Sequence, residues 1–205
     1  MTLLAKVRHH ADTYQPDYSQ MAVVKCFEES NPLEPVHYAN STAIRLANIY
    51  AKHPVYCNRG VNGIEGSLST AAGFSLVSSE NVFCVIGDLS FFYDQNALWN
   101  QNLRGNLRIL LMNNGKGGIF NMLKGLEKSA ARDQFVAAQH KTSAEGICVQ
   151  NHVDYQKAQN MEKMQQGIEW LMHTESNRPL LLEVFTDAAE DERVFKAYYQ
   201  GVKAE

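Results

Sequence analysis

Short apolar runs separated by longer amphipathic stretches set the rhythm of this chain. Strand-length runs fall at 37–39, 54–57, 82–86, 107–112 and 179–185. Those at 82–86, 107–112 and 179–185 are almost unbroken in Val, Ile, Leu, Phe and Met, the pattern of buried strands. Helical patterns fill 18–29, 42–52, 67–78, 91–102 and 159–173. Asn31-Pro32 and Pro35 close the first of these, and Asn40-Ser41 is placed to cap the second. Strand and helix alternate in the order of an α/β fold, a doubly wound, mainly parallel sheet with helices on both faces. Residues 1–16 read as a leading segment or linker remnant of unassigned structure, with Pro16 as the break, and 17–205 as one domain. Periodicity is poor over 123–153, as in a long active-site loop with short helices. The polar tail from Thr186 is expected at the surface, and neither an internal repeat nor a low-complexity tract interrupts the chain.

Composition narrows the class. With 205 residues, 45% of them hydrophobic, the chain readily buries one core. A net charge of −3 gives no sign of a nucleic-acid partner. No apolar run approaches the roughly twenty residues of a membrane span, and the first residues lack a signal-peptide pattern. Cys26, Cys57, Cys84 and Cys148 have no CxxC spacing, which suits reduced thiols and a cytoplasmic location. The histidines show no metal-ligand spacing either.

The candidate chemistry lies at two predicted strand ends. Gly87-Asp88-Leu89-Ser90 follows the run 82–86, and Asn113-Asn114 follows the run 107–112. In an open parallel sheet that edge is where ligands bind, so a carboxylate from Asp88 and an amide oxygen from Asn114 can converge on one cation. Magnesium takes such hard oxygen donors and keeps places for phosphate oxygens. Each half alone is also ordinary turn chemistry. Joined by a helical segment, they resemble the thiamine diphosphate signature, which opens with Gly-Asp and closes with paired asparagines.

A second block, Asn58-Arg59-Gly60-Val61-Asn62-Gly63-Ile64-Glu65-Gly66 leading into 67–73, narrows the resemblance. With GDLSFFYDQNAL and NNGKGGIF, it is similar to the carboxyl-terminal part of the 2-succinyl-5-enolpyruvyl-6-hydroxy-3-cyclohexene-1-carboxylate synthase family, over about 40–182. The resemblance implies that thiamine diphosphate is held by Ile64, Gly87, Asp88, Leu89, Ser90, Asn114, Gly117, Gly118 and Ile119. Magnesium, with manganese as the alternative ion, would be held by Asp88, Asn114 and the backbone carbonyl of Lys116. The family usually has glycine at the position of Lys116, so this side chain must turn away from the cation or reach the diphosphate. Ser90 would donate to a phosphate oxygen from the first turn of the next helix, where the backbone dipole favours negative charge. Ile64 would support the V shape of the cofactor.

The same resemblance implies 2-oxoglutarate and isochorismate as substrates, the first decarboxylated and its succinyl unit added to the second, in menaquinone biosynthesis. Arg45 and Arg59 match positions that hold substrate carboxylates, a task that suits guanidinium. Asn40 and Ser41 stand at the helix start with Arg45, and Phe120 and Leu123 match apolar wall positions. At Lys124 the family often has proline. Such enzymes need an activating glutamate on a pyrimidine-binding domain of another subunit; Glu65 is not that residue. The expectation is a chain with no catalytic residue of its own, a fragment of a homodimeric or homotetrameric enzyme without its pyrimidine-binding and central domains, and inactive alone. The alternatives are another thiamine diphosphate enzyme acting on 2-oxo acids, of acetolactate synthase or decarboxylase type, and a non-catalytic diphosphate-binding module. A Rossmann nicotinamide domain fits poorly, because Gly60 to Gly66 does not follow the GxGxxG order.

Overall fold

The computed structural model describes residues 2–30, 34–60, 63–118, 125, 129 and 131–204. Its centre is a five-stranded, wholly parallel sheet built from β1 (Val36–Tyr38), β2 (Val82–Gly87), β3 (Leu107–Asn113), β4 (Asp154–Ala158) and β5 (Leu180–Phe185). The strands lie in the order β1-β2-β3-β5-β4. The helices are α1 (Leu3–Thr13), α2 (Gln20–Ser30), α3 (Thr42–Tyr50), α4 (Ser67–Val77), α5 (Asp88–Tyr93), α6 (Glu145–Gln150), α7 (Met161–His173) and α8 (Ala188–Ala204).

The central strands are apolar because both of their faces are covered. Every residue of β3 is buried, as are Val82–Ile86 and Leu180–Val184. Full burial of one such side chain contributes about 1.5–3 kcal/mol, and these three strands form the middle of a core that the helices complete. Register sorts the faces: Phe83 stands beside Arg108, and Arg108 beside Leu180. On that face Phe83 meets Phe27 of α2 edge-on, at 5.4 Å between ring centres. Arg108, though buried, meets the carboxyl end of α7, its Nη1 donating to Leu171 O at 2.5 Å and its Nη2 to Thr174 O at 2.8 Å, while its Nε has no partner among the described residues. A cation there also complements the helix dipole.

Several expectations need correction. Residues 1–16 hold α1, whose start is capped by Thr2 Oγ1, which accepts from Ala5 N at 3.3 Å, and whose His10 ring lies 5.1 Å from that of Tyr198 on α8. The run 54–57 contributes only one bridge, Tyr56 beside His37, because the sheet ends there. The helix expected at 91–102 begins at Asp88 and breaks at Asp94 into a 3-10 turn over Gln95–Trp99. Asp94 is drawn to α4, where its carboxylate accepts from the amide and hydroxyl of Ser69. Two elements had no sequence expectation: β4, an edge strand that keeps polar residues half exposed, and α8, which buries only Val194 and Tyr198. The short helices expected within 123–153 are represented among the described residues by a π-helical turn at Arg132–Val136 and by α6. All four cysteines are free, and among the described residues no helix is long and apolar enough to cross a membrane.

Two glycines make a stability test of this packing. A Cβ at Gly105 would fall 1.7 Å from the backbone oxygen of Ser176, whereas one at Gly73, exposed on α4, meets nothing within 4 Å. Gly105→Ala should lower the unfolding free energy by about 1–3 kcal/mol or more, and Gly73→Ala should raise it by about 0.5–1 kcal/mol. Urea unfolding followed by circular dichroism reads both, and the opposite signs are the expected result.

Candidate functional site

The carboxyl ends of β1, β2 and β3 open on one cavity of about 380 Å³. Asn40, Ser41, Thr42 and Ala43 line it from the end of β1, Gly63, Ile64 and Glu65 from the glycine loop, and Gly87 to Ser90 from the end of β2. Asn114, Lys116, Gly117 and Gly118 line it from the end of β3, with Gln20 of α2 completing the wall.

Asp88 is the centre of this arrangement. Its side chain is buried, and its two oxygens are held separately: Oδ1 accepts from Leu89 N at 2.7 Å, and Oδ2 from Gly115 N at 2.8 Å. The second bond ties the end of β2 to the loop after β3. Gly115 must be glycine there, since its φ is +76° and a Cβ would lie 2.9 Å from His140 O. His140 closes the other side: its amide donates to Gly115 O at 2.8 Å, and its Nδ1 accepts from Thr142 N at 3.1 Å. Its Nε2 lies 3.3 Å from Asp88 Oδ2 but out of line for a hydrogen bond.

Asn114 is fixed from behind. Its Nδ2 donates to Asp191 Oδ2 at 2.9 Å, and its Oδ1, the atom a cation would use, accepts from Lys116 N at 3.3 Å. Asp191, in the first turn of α8, also accepts from Gln20 N at 2.8 Å and Thr186 Oγ1 at 2.9 Å. Burial raises its carboxyl above the ordinary value, against the lowering effect of those three donors. The Lys116 ammonium lies 3.8 Å from Asp133 Oδ1, so it is drawn out towards that carboxylate.

The glycine loop is pinned at several points. Ser90 Oγ donates to Ile64 O. Asn40 Nδ2 donates to Gly63 O at 2.7 Å, while its Oδ1 accepts from Arg59 Nη1 at 2.6 Å and Ser41 N at 2.9 Å. This use of Asn40 replaces the helix cap expected of Asn40-Ser41: Ser41 has φ +74° and makes no capping side-chain bond to α3. Asn58 Nδ2 reaches Gly66 O at 3.1 Å and Thr70 Oγ1 at 2.9 Å, and its Oδ1 pairs with His37 Nε2 at 3.1 Å. Burial holds His37 below its ordinary pKa, so it serves as a neutral donor to Asn58.

The sequence candidates thus separate into three groups. Ile64, Gly87, Asp88, Leu89, Ser90, Asn114, Lys116, Gly117, Gly118, Asn40 and Ser41 share the cavity wall, with Arg59 bonded to one of them. Arg45 is exposed on α3 and lines a different groove, beside Arg8 and Tyr199. Ile119, Phe120, Leu123 and Lys124 lie outside the described residues. Glu65 is exposed, its carboxyl held below the ordinary value by the backbone amides of Glu65 and Ile64. Asp191 and His140 carried no sequence signal, because neither lies near either motif. Among the described residues no group of three or more His, Cys, Asp or Glu gathers to hold a metal. At the ends of β2 and β3 the donors are the Asp88 carboxylate, the Asn114 amide oxygen and backbone carbonyls, a hard set that suits magnesium if phosphate oxygens complete it.

A family described as "Thiamine pyrophosphate enzyme, C-terminal TPP binding domain" matches residues 38–184. Among curated proteins, the chain is 44% identical over 192 residues to a 2-succinyl-5-enolpyruvyl-6-hydroxy-3-cyclohexene-1-carboxylate synthase of Phocaeicola vulgatus, covering 91% of this chain and 34% of that protein. The protein of the same name from Bacteroides thetaiotaomicron is 46% identical over 194 residues, again 91% and 34%. That from Christiangramia forsetii is 37% identical over 205 residues, covering 97% and 35%. The chain spans about a third of the length of these relatives.

The environment of Asp191 makes a pH test. Its folded carboxyl titrates above the ordinary value of 3.8, so between that value and the folded pKa the native state binds more protons than the unfolded chain. Unfolding free energy contributed by Asp191 therefore falls as pH rises through that window. Urea titrations should show wild type losing stability relative to Asp191→Asn as pH rises from 3.8 towards neutrality; a constant difference would contradict the assignment.

Proposed function

We propose, since this chain belongs to the family of C-terminal thiamine pyrophosphate-binding domains, that Asp88, Asn114 and the Lys116 carbonyl would hold a magnesium ion, which would offset the charge of the cofactor's diphosphate. The observation that carries this reading is the joint exposure of Asp88 and Asn114 to one cavity, each immobilised by its own hydrogen bonds. A diphosphate brings several negative charges. Lys116 is the one cationic side chain among the described residues that line the cavity, and Asp133 draws its ammonium outwards. A divalent ion is then the natural counter-charge, and manganese is the alternative.

The remaining wall residues take supporting roles. Ser90 would turn its hydroxyl from Ile64 O to a phosphate oxygen, and the amide of Gly118 offers a further donor, whereas that of Gly117 already donates to Ala137 O at 2.7 Å. Ile64 would pack under the bend of the cofactor. Bound thiamine diphosphate supplies an electron sink for carbon–carbon bond cleavage and formation. Asn40 and Arg59, already bonded to each other, would receive a substrate carboxylate, with Ser41 beside them. Arg45 would join them only from its separate groove on α3.

For the whole enzyme the reading is decarboxylation of 2-oxoglutarate and addition of its succinyl unit to isochorismate, a step of menaquinone biosynthesis in the cytoplasm. It rests on the names of relatives about three times as long. The activating glutamate would then come from a pyrimidine-binding domain of another subunit, in a homodimer or homotetramer, and the 205 residues alone would be inactive.

Two measurements check this. Asp88→Ala should weaken magnesium-dependent binding of thiamine diphosphate by more than about 100-fold in calorimetry; unchanged affinity would remove Asp88 from the metal site. Isochorismate with 2-oxoglutarate should turn over in the full-length protein, whereas pyruvate should not. Turnover of pyruvate alone would favour an acetolactate synthase or decarboxylase type instead.

A further inference from the structure

A fully buried carboxylate sits one strand away from the proposed metal ligands and touches neither of them. Glu183 interrupts the apolar run of β5, and its side chain has no exposed surface. Burying such a charge is strongly unfavourable unless every oxygen is matched by donors. Glu183 is matched entirely by neutral groups in the bonds it makes: Asn113 Nδ2 at 2.7 Å, Ser143 Oγ at 2.8 Å, Tyr155 Oη at 2.7 Å and Ala144 N at 3.1 and 3.2 Å. These donors belong to three separate segments: the end of β3, the loop before α6, and β4.

The bonds continue towards Asp88. Asn113 uses its two amide hydrogens on Glu183 and on Thr142 O, at 2.9 Å, which fixes the direction of its oxygen. That oxygen accepts from Gly115 N at 3.1 Å, the same N–H that holds Asp88 Oδ2 at 2.8 Å. Gly115 O in turn receives the amide of His140, from the loop that Ser143 and Ala144 anchor to Glu183. One buried charge thereby sets both the amide that aims Asp88 and the segment that closes over it.

We propose that Glu183 is a positioning residue for the cation site, acting through Asn113 and Gly115 to hold Asp88 Oδ2. This rests on the reading of Asp88 as a cation ligand. Replacing the carboxylate by an amide puts an NH2 group where a donor now points in. The neutral amide has one acceptor oxygen instead of two and accepts from Asn113 more weakly than the carboxylate does, so Asn113 and, through it, the Gly115 N–H are held less firmly.

The test uses the full-length protein as wild type, Glu183→Gln, Tyr155→Phe and, as control, Asp88→Ala. Hydrogen exchange at the Gly115 amide is read without cofactor, and Mn²⁺ affinity is read by electron paramagnetic resonance with thiamine diphosphate present. Glu183→Gln should speed Gly115 exchange at least about 10-fold and weaken Mn²⁺ binding by about 10- to 100-fold. Tyr155→Phe, which removes one donor and leaves the carboxylate, should move both in the same direction by less. If Glu183→Gln does not fold, Tyr155→Phe decides. Unchanged Mn²⁺ affinity in the folded Glu183 variant, or in Tyr155→Phe when it stands alone, overturns the proposal if Asp88→Ala has weakened it. Unchanged affinity in Asp88→Ala itself overturns the metal-site reading instead.

Discussion

The hydrogen bond from Gly115 N to Asp88 Oδ2 is the constraint on which the site depends. Parallel pairing brings Gly87 level with Met112, so the two strands end together, and their next residues can meet across the sheet edge. Asp88 then spans the gap, accepting one amide from its own helix start and one from the neighbouring loop. Hydrogen bonds to a charged acceptor contribute about 1.5–3 kcal/mol each, enough to keep one short side chain in one place. A carboxylate so held presents fixed oxygens to the cavity without a reorganisation cost when a cation arrives.

The rest of the edge follows from that fixed point. Gly115 can lie against His140 only because it has no side chain, and this lets the segment before α6 fold back beside Asp88. Asn114, next in line, cannot rotate freely because α8 brings Asp191 against its amide nitrogen. Its orientation is therefore set by an element more than seventy residues away along the chain. Electrostatically the cavity is left short of positive charge: among the described residues that line it only Lys116 is cationic, and its ammonium lies 3.8 Å from Asp133 Oδ1. A diphosphate needs a counter-ion that the side chains do not supply.

Much of this was readable from sequence where a residue acts at its own strand end. The runs 82–86 and 107–112 gave β2 and β3 nearly to the residue, and the Gly-Asp and Asn-Asn motifs follow them as expected. The Lys116 side chain lines the cavity and has its ammonium 3.8 Å from Asp133 Oδ1. Partnership across the fold was not readable. Asp191 lies in a polar tail whose only helical signal is a narrow buried stripe including Val194 and Tyr198. β4 was missed because an edge strand can keep alternate polar residues and so lacks an apolar run. The Asn40-Ser41 cap failed because Asn40 found stronger partners in Gly63 and Arg59. Glu183 did leave a trace, a lone charge inside an apolar strand, which is the kind of local conflict that marks a site.

The central claim is that Asp88, Asn114 and the Lys116 carbonyl would hold a cation that offsets the charge of a diphosphate at the ends of β2 and β3. Crystals of the full-length protein grown with thiamine diphosphate and Mn²⁺ would test it through anomalous scattering. The account predicts one strong manganese peak within coordination distance of Asp88 and Asn114 oxygens and of the Lys116 carbonyl. A cofactor bound without such a peak, or a peak held by other residues, would contradict it.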